Sequence, residues 1–306
     1  MRIIYLGTPD FSVLPLKSIL DSGKHQVVAV VTNKDKPVGR KKVLTAPPVK
    51  VFATEKGIPV YQYDKIRLEG VEDMKKLNPD IMITCAFGQI LSQELIDIAK
   101  YGVINIHASL LPKYRGASPI HYAILNGEEK TGISIMKTDI GIDTGDVILQ
   151  KEIEIGREET CGELFERLSV LGAESIIEAL SLIESGNVHY QKQDESKATL
   201  TKIIKKENAL IDWTESAEKI CNKVRAFNPA PVAYCMLNGL PFKVYKAEIA
   251  HLKGEAGKIL RADSELIIGC GDGSVALKIV QKAGGNAMQI GDFLRGNKFT
   301  VGEDFN

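Results

Sequence analysis

The sequence predicts an α/β fold in which a Rossmann-like, mostly parallel sheet is covered by helices on both faces and is followed by a smaller, OB-like β-barrel domain. In the first half of the chain, continuous apolar runs of strand length alternate with helical stretches, the pattern of a buried parallel sheet. In the C-terminal third, short strand candidates are instead separated by turn glycines, which is typical of a small barrel.

The elements of the first half follow in chain order. Apolar runs predict strands at 3–6, 27–31, 81–84, 102–106, 133–136 and 147–155. Apolar positions at helical spacing predict helices around 14–20, 74–77 and 91–98. A capping box between Thr160 and Glu163 predicts the start of a longer helix, whose apolar stripe includes Leu164, Leu168 and Leu171.

The regular pattern lapses before the second domain. We therefore predict a first domain over 1–189, a polar linker rich in lysine over 190–207, and a second domain over 208–306. The second domain opens with a helical stripe at Ala217, Ile220 and Val224. Its strand candidates lie at 233–237, 242–247, 266–268 and 275–280.

Composition narrows the possible classes of function. The 306 residues carry 39 basic and 39 acidic side chains, so any contact with a polyanion must come from local clusters of charge. The five cysteines are scattered and form no CxxC pair, which argues against a disulfide framework and a cysteine-rich zinc site. The N-terminal apolar run is too short for a signal peptide, and no run approaches membrane-spanning length. These features predict a soluble, cytoplasmic protein that binds no membrane.

The most informative segment is Asn105-Ile106-His107-Ala108-Ser109-Leu110-Leu111-Pro112. Because side chains alternate along a strand, Asn105 and His107 are expected to point the same way while their apolar neighbours enter the core. The strand stops at small residues and a proline, at the carboxyl end of a parallel sheet, where open α/β folds bind ligands. A hydrogen-bonded core histidine remains the alternative for His107.

A second segment, Asp139-Ile140-Gly141-Ile142-Asp143-Thr144-Gly145-Asp146, carries three carboxylates in eight residues. A calcium loop would need Asp or Asn at its third position, Gly at its sixth and Glu at its twelfth, where this chain has Gly141, Thr144 and Gln150. An ordinary turn remains possible. Clustered carboxylates favour a cationic neighbour, and a protonated histidine would be one.

These two segments together resemble the signature of the folate-dependent formyltransferases. The resemblance runs nearly the whole chain and includes 7–11, 113–116 and 225–229. After Asn228-Pro229 the chain departs from the family's usual Trp-Pro-Gly-Ala and has Ala230-Pro231-Val232-Ala233. The resemblance implies the formyltransferase fold, with catalysis in the first domain and 10-formyltetrahydrofolate as co-substrate. It implies no metal, and Gly7-Thr8-Pro9 does not match a dinucleotide-binding GxGxxG.

Formyl transfer to an amine passes through a tetrahedral species, so the site needs hydrogen-bond donors at its oxygen and a proton carrier between nitrogens. The resemblance and the residue types together assign Asn105 and protonated His107 as donors to this oxygen. Asp143 is expected to orient the imidazole, to favour its charged form and to help take the proton from the attacking amine.

The resemblance also implies two walls of a folate site. One is Ser109, Leu110, Leu111 and Pro112, and the other is Phe87, Gly88, Gln89 and Ile90. Ordinary turn structure is the alternative for both segments. Phe11 is a candidate for a pocket that takes the acceptor's methionine side chain, with a core phenylalanine as the alternative.

The likeness is strongest to family members whose acceptor is the α-amino group of methionine carried by initiator tRNA, which implies a role in translation initiation. Between 34 and 42 the chain has a basic loop, long for an α/β connection, that leaves the ligand-binding end of the sheet. A solvated run of charge is its alternative interpretation. The predicted tRNA-binding residues are Lys34, Lys36, Arg40, Lys41 and Lys42 in this loop, and Lys202, Lys205 and Lys206 in the linker.

Two rival functions stay open on the sequence. A formyltransferase acting on an amino-sugar nucleotide would share the catalytic residues but would not need the basic loop. A non-catalytic tRNA-binding protein would not need Asn105, His107 and Asp143 together. We expect a monomer.

Overall fold

The computed structural model describes residues 1–39 and 41–305. The contacts divide the chain into two compact units. The first unit comprises 1–116, 131–153 and 165–201, and the second comprises 117–130, 154–164 and 202–306. In the described part of the chain, no helix is both long and apolar enough to span a lipid bilayer.

A seven-stranded sheet forms the centre of the first unit, and the chain also makes two short two-stranded sheets there. The strands of this unit are β1 (Arg2–Gly7), β2 (Gln26–Thr32), β3 (Lys36–Val38), β4 (Val43–Thr45), β5 (Val60–Gln62), β6 (Ile81–Cys85), β7 (Val103–His107), β8 (Arg115–Gly116), β9 (Lys130–Lys137), β10 (Val147–Glu154) and β11 (Leu200–Thr201). The large sheet has the order β10-β9-β7-β6-β1-β2-β5, and β1, β2, β5, β6 and β7 pair in parallel. The predicted α/β fold is confirmed.

Helices pack against this sheet because their apolar stripes need cover. In the first unit they are α1 (Val13–Asp21), α2 (Pro48–Glu55), α3 (Ile66–Glu69), α4 (Val71–Lys76), α5 (Gln93–Ile96) and most of α7 (Cys161–Ser185), whereas α6 (Pro119–Leu125) belongs to the second unit. The capping box predicted at the start of α7 is present: the Glu163 backbone N–H donates to Thr160 Oγ1 at 3.3 Å, and the Thr160 N–H donates to Glu163 Oε2 at 2.8 Å.

The first part of the segment predicted as a linker pairs with strands of the first unit. Gln191 and Val147 exchange two backbone hydrogen bonds of 2.8 Å. Further on, β11 pairs in parallel with β8, which places Leu200 opposite Arg115. We call residues 190–201 the strap. After the strap, the chain belongs to the second unit from Lys202 onward.

The second unit is built on antiparallel strands, in agreement with the predicted small, barrel-like domain. Its strands are β12 (Ala233–Leu237), β13 (Leu240–Ala250), β14 (Ile259–Ala262), β15 (Leu266–Gly269), β16 (Ser274–Gln281) and β17 (Met288–Gln289), and its remaining helices are α8 (Ala217–Ala226) and α9 (Ile290–Gly296). The sheet order is β12-β13-β16-β15-β14, with β17 on β16. Its core includes Trp213, Phe227, Phe242, Phe293 and Phe305, all nearly inaccessible to solvent.

Candidate active site

The polar pair on β7 lies at the carboxyl edge of the sheet. Asn105 pairs with Thr84 of β6 on one side, and His107 pairs with Ser134 of β9 on the other. β7 is thus an interior strand, in which Asn105 is paired on both sides and His107 on the β9 side. His107 is 6% exposed and Asn105 is half-buried. The strand predicted at 102–106 is therefore found one residue later, with His107 as its last residue.

Asp143 reaches this pair from the loop between β9 and β10. Its Oδ1 accepts a hydrogen bond from Asn105 Nδ2 at 3.2 Å, and its Oδ2 lies 3.5 Å from His107 Nδ1. Oδ2 also accepts the backbone N–H of Gly116 at 2.8 Å. Asp143 has φ of 53°, a left-handed conformation that is uncommon outside glycine and asparagine-like residues. The structure therefore brings Asn105, His107 and Asp143 together.

The two nitrogens of His107 have different neighbours. Nε2 lies 3.0 Å from the carbonyl oxygen of Tyr114. Because a carbonyl can only accept, this contact assigns a hydrogen to Nε2. Nδ1 is left facing the Asp143 carboxylate, and it is the ring atom at which His107 can hold or release a proton.

The orientation of the Asn105 amide is fixed from the neighbouring strand. Thr84 Oγ1 donates to Asn105 Oδ1 at 2.9 Å, which leaves the NH₂ group on the side of Asp143. Sequence reasoning missed Thr84. The available signal was its position at the end of the adjacent apolar run, where parallel strands present side chains to the same edge.

Hydrogen bonds of two buried serines stabilise the turn formed by Ser109, Leu110, Leu111 and Pro112. Ser109 is fully buried, and its hydroxyl donates to the Lys113 carbonyl at 2.6 Å. Ser134 Oγ donates to the Ser109 carbonyl and accepts the Leu111 N–H. Leu110 and Pro112 are partly exposed, so they are the members of this turn that a ligand can touch directly.

The second segment assigned to folate follows β6, the neighbour of β7, and so leaves the same edge of the sheet. Phe87 is 4% exposed and belongs to a core cluster, whereas Gly88 and Ile90 are exposed. The Gln89 side chain accepts the Ile66 N–H at 2.9 Å and donates to Asn33 Oδ1 at 2.8 Å. In this segment Phe87 and Gln89 serve the fold, and the exposed positions remain for a ligand.

Phe11, the candidate for the methionine pocket, is 3% exposed. Its ring packs edge-to-face on Phe165 with centroids 5.1 Å apart. Its carbonyl oxygen accepts a hydrogen bond from Ser169 Oγ at 3.0 Å. These contacts match the alternative of a core phenylalanine, and the pocket assignment stays a prediction.

The basic loop forms a β-hairpin of β3 and β4, in which Lys36 pairs with Thr45. Lys36, Lys41 and Lys42 are exposed, while Lys34 Nζ is paired with Asp64 at 2.6 Å. Arg40 lies outside the described residues. The hairpin also exposes three apolar side chains, Val38, Val43 and Leu44, each with more than half of its surface accessible. The assignment of this hairpin to tRNA binding stays a prediction.

The lysines predicted in the linker lie in the second unit. Lys202, Lys205 and Lys206 are exposed, and Lys206 Nζ lies 5.9 Å from the centre of the Tyr234 ring. All three ammonium groups can therefore be reached by a polyanion.

An amide, an imidazole and a carboxylate at the ligand-binding edge of an α/β sheet are the groups that transfer of an acyl-type group needs, namely donors to an oxyanion and a proton carrier. The comparison with known proteins makes the class specific. The chain belongs to the formyl transferase family, whose model "Formyl transferase" matches residues 1–180 and whose model "Formyl transferase, C-terminal domain" matches residues 203–298. The family uses formyl-tetrahydrofolate, as predicted.

Three known proteins illustrate the similarity. Methionyl-tRNA formyltransferase from Geobacter sulfurreducens is 44% identical over 304 residues, covering 99% of this chain and 96% of that protein. Methionyl-tRNA formyltransferase from Bacillus velezensis is 46% identical over 307 residues, covering 99% and 96%. The structure of an N-formyltransferase from Helicobacter canadensis, in complex with folinic acid and dTDP-3-aminofucose, matches with a TM-score of 0.71 at 22% identity, covering 92% and 99%. At that identity the last match shows the shared fold.

Proposed function

We propose that this protein transfers the formyl group of 10-formyltetrahydrofolate to the α-amino group of methionine carried by initiator tRNA. One observation carries the proposal: Asp143 contacts both Asn105 and His107 at the carboxyl edge of the sheet. The relatives named methionyl-tRNA formyltransferase, similar over nearly their whole length, support the choice of acceptor.

The reaction forms a bond between the amine nitrogen and the formyl carbon, and breaks the bond between that carbon and the folate nitrogen. Asn105 has a second amide hydrogen beyond the one given to Asp143, and it donates this hydrogen to the oxygen that becomes negatively charged. His107 adds a second donor through Nδ1–H. One such donor is typically worth about 3 kcal/mol, or on the order of a hundredfold in rate.

Asp143 and His107 move the proton. The amine loses a proton after it attacks, and the folate nitrogen gains one when it leaves, so the net proton count is unchanged. The Asp143 carboxylate, directly or through a water, accepts the proton lost by the amine, and Nδ1–H of His107 gives its proton to the folate nitrogen as it leaves. The proton held by Asp143 then passes to Nδ1, 3.5 Å away, and restores both groups. The Tyr114 carbonyl holds the opposite ring nitrogen and prevents the ring from turning.

Support for a tRNA acceptor comes from the hairpin. Lys36, Lys41 and Lys42 supply positive charge to phosphates, and Val38 and Leu44 supply apolar surface next to it. An amino-sugar nucleotide carries few phosphates and has no evident use for such a projecting element. We also propose that Lys202, Lys205 and Lys206 contribute phosphate contacts, and that Phe11 backs the methionine site.

We further propose that the protein acts as a monomer in the cytoplasm. The described cysteines are all free thiols, which suits a reducing compartment. Light scattering of the purified protein, with a mass near 33.5 kDa for a monomer, tests the first part.

The deciding experiment is a single-turnover assay with a formyl-folate donor, offering methionyl-initiator-tRNA and an amino-sugar nucleotide in parallel. We expect formylation of the tRNA-bound methionine, and a loss on the order of a hundredfold or more in Asn105→Ala, with the variant still folded. Formylation of the sugar alone would overturn the acceptor, and transfer to neither would favour a tRNA-binding protein without catalysis.

A further inference from the structure

The loop that carries Asp143 is poorly covered by the rest of the first unit. Residues 139–142 are exposed, and Ile140 and Ile142 each have nearly two thirds of their surface accessible to solvent. Asp143 itself has φ of 53°, a left-handed conformation that aspartate reaches more readily than most residues but that lies in a small allowed region. Something must therefore fix the backbone of this loop if its carboxylate is to stay within reach of His107.

Gln193 of the strap makes the contacts that fix it. Its Nε2 donates to the Asp143 carbonyl at 2.8 Å and to the Gly145 carbonyl at 2.7 Å, so both amide hydrogens are used on the loop. Its Oε1 accepts from Arg115 Nε at 3.0 Å. One side chain thus links the Asp143 loop to the segment that follows the His107 turn.

Arg115 anchors Gln193 in turn. Its guanidinium group is 4% exposed and makes a bidentate pair with Glu195 of the strap, at 2.8 and 2.7 Å. The hydrogen bonds from Arg115 to Glu195 raise the pKa of Arg115, so it is charged at any working pH. A planar, buried guanidinium has little freedom, and it presents Nε to Gln193 in a fixed direction.

The backbone next to Arg115 completes the link to Asp143. Gly116 has φ of 96°, and a Cβ atom there would lie 2.8 Å from the Thr201 carbonyl oxygen of the strap. The absence of a side chain lets β8 and β11 approach closely, and the Gly116 N–H then donates to Asp143 Oδ2. Asp143 is thus held at two points: its carboxylate accepts the Gly116 N–H, and its backbone carbonyl accepts a hydrogen bond from Gln193.

We propose that Gln193 is a positioning residue for the transfer reaction. The inference rests on the proposed function, since it assigns a role in that reaction. Gln193 acts by holding the Asp143 backbone in the conformation that presents the carboxylate to Asn105 and His107. A misplacement of about 1 Å at a catalytic group costs on the order of a hundredfold in rate.

The test uses the full chain with three variants. Gln193→Leu removes the amide, and Gln193→Glu keeps the acceptor for Arg115 but loses both donors to the loop. Gln191→Leu is the matched control, because Gln191 is exposed and joins Val147 through its backbone. We expect both Gln193 variants to lower kcat by about 10- to 100-fold with KM for both substrates within about threefold of the parent value. The control should be unaffected.

A double-mutant cycle separates positioning from general damage. In an Asp143→Asn background, Gln193→Leu should lower kcat by no more than about twofold further, because its effect passes through Asp143. A full, multiplicative loss in that background, or parental kcat in both Gln193 variants, overturns the proposal.

Hydrogen exchange gives a readout that does not depend on the acceptor. Gln193→Leu should speed amide exchange in 139–146 by at least about tenfold while the β1 and β6 amides keep their protection. Unchanged exchange in 139–146 overturns the proposal even if activity falls. If the parent enzyme fails to formylate methionyl-tRNA but this exchange effect is present, the proposed function fails and the positioning of Asp143 by Gln193 stands.

Discussion

Thr84 offers a sharp test of how the Asn105 amide is oriented. Its hydroxyl donates to Asn105 Oδ1 at 2.9 Å, and Thr84 is 9% exposed, so the bond is largely shielded from water. Replacing Thr84 with Val keeps the shape and removes the donor. A neutral hydrogen bond of this kind contributes about 0.5–1.5 kcal/mol, and if that energy only orients Asn105 its loss slows the reaction by about 2- to 12-fold.

The measurement is the single-turnover rate at saturating donor and methionyl-tRNA. Thr84→Ser, which keeps the hydroxyl, should recover most of the rate, and Thr84→Val should add little in an Asn105→Ala background. A Thr84→Val enzyme with the parental rate would refute the claim that this hydroxyl orients the amide. A Thr84→Ser enzyme as slow as Thr84→Val would show that packing, and not the hydrogen bond, is what matters.

Replacing Lys50 with Met should raise KM for tRNA by about 3- to 10-fold and leave KM for the folate unchanged. The reason is that Lys50 Nζ bonds Asp35 at the base of the hairpin, at 2.8 Å, and also Gln62 at 2.9 Å. An unchanged KM for tRNA would show that this contact is not needed to hold the hairpin in place for binding. Burial lowers the pKa of His121, so the folded state takes up a proton on this ring less readily than the unfolded state does. Its contribution to stability is therefore fully present above the unfolded pKa of 6.5 and is lost as the pH falls through the folded pKa. Melting temperatures between pH 7 and 5 should accordingly fall less steeply in His121→Phe than in the parent. Burial raises the pKa of the Cys161 thiol to about 12, so the free energy of unfolding should decline above pH 9, where the thiol ionises in the unfolded state. For the same reason, Cys161 should react with iodoacetamide at pH 8 much more slowly in native protein than in urea. Equal rates, read by mass spectrometry, would contradict its burial.

The strands of the first unit could be predicted because they are apolar on both faces. β1, β2 and β6 are buried along nearly their whole length, and a continuous apolar run has few other uses in a domain of this size. The capping box at Thr160 was equally local, since it depends on residues three apart. The common direction of Asn105 and His107 follows from the alternation of side chains in a strand.

The contacts that complete the site could not be predicted, because they join residues far apart in sequence. Gln193 meets Asp143 across 50 residues and Arg115 across 78, and no spacing rule connects such positions. The hairpin was expected only as a basic loop, because both of its strands are exposed and lack the half-buried alternation that marks a strand. The assignment of 117–130 and 154–164 to the second unit likewise depends on long-range packing.

Val232 shows how a departure from a family pattern is tolerated. The chain has a β-branched residue here at φ of 71°, a conformation that costs about 1–3 kcal/mol. The Val232 side chain is 4% exposed, and burying a valine contributes about 1.5–3 kcal/mol. The two effects are of similar size, so the cost of this conformation is offset by packing.

The pairing of β11 with β8 affects where a domain of this protein can be exchanged by gene fusion or recombination. A gene fusion that joined this first domain to a foreign second domain at residue 189 would separate Asp143 from Gln193 and Arg115 from Glu195, although every residue of the predicted catalytic domain remained. A junction after Thr201 would carry those partners along with the sheet. The part of the chain needed to keep the site intact is thus longer than the one that stops at the end of α7, and recombination between relatives at 190 should lower activity more than recombination at 202.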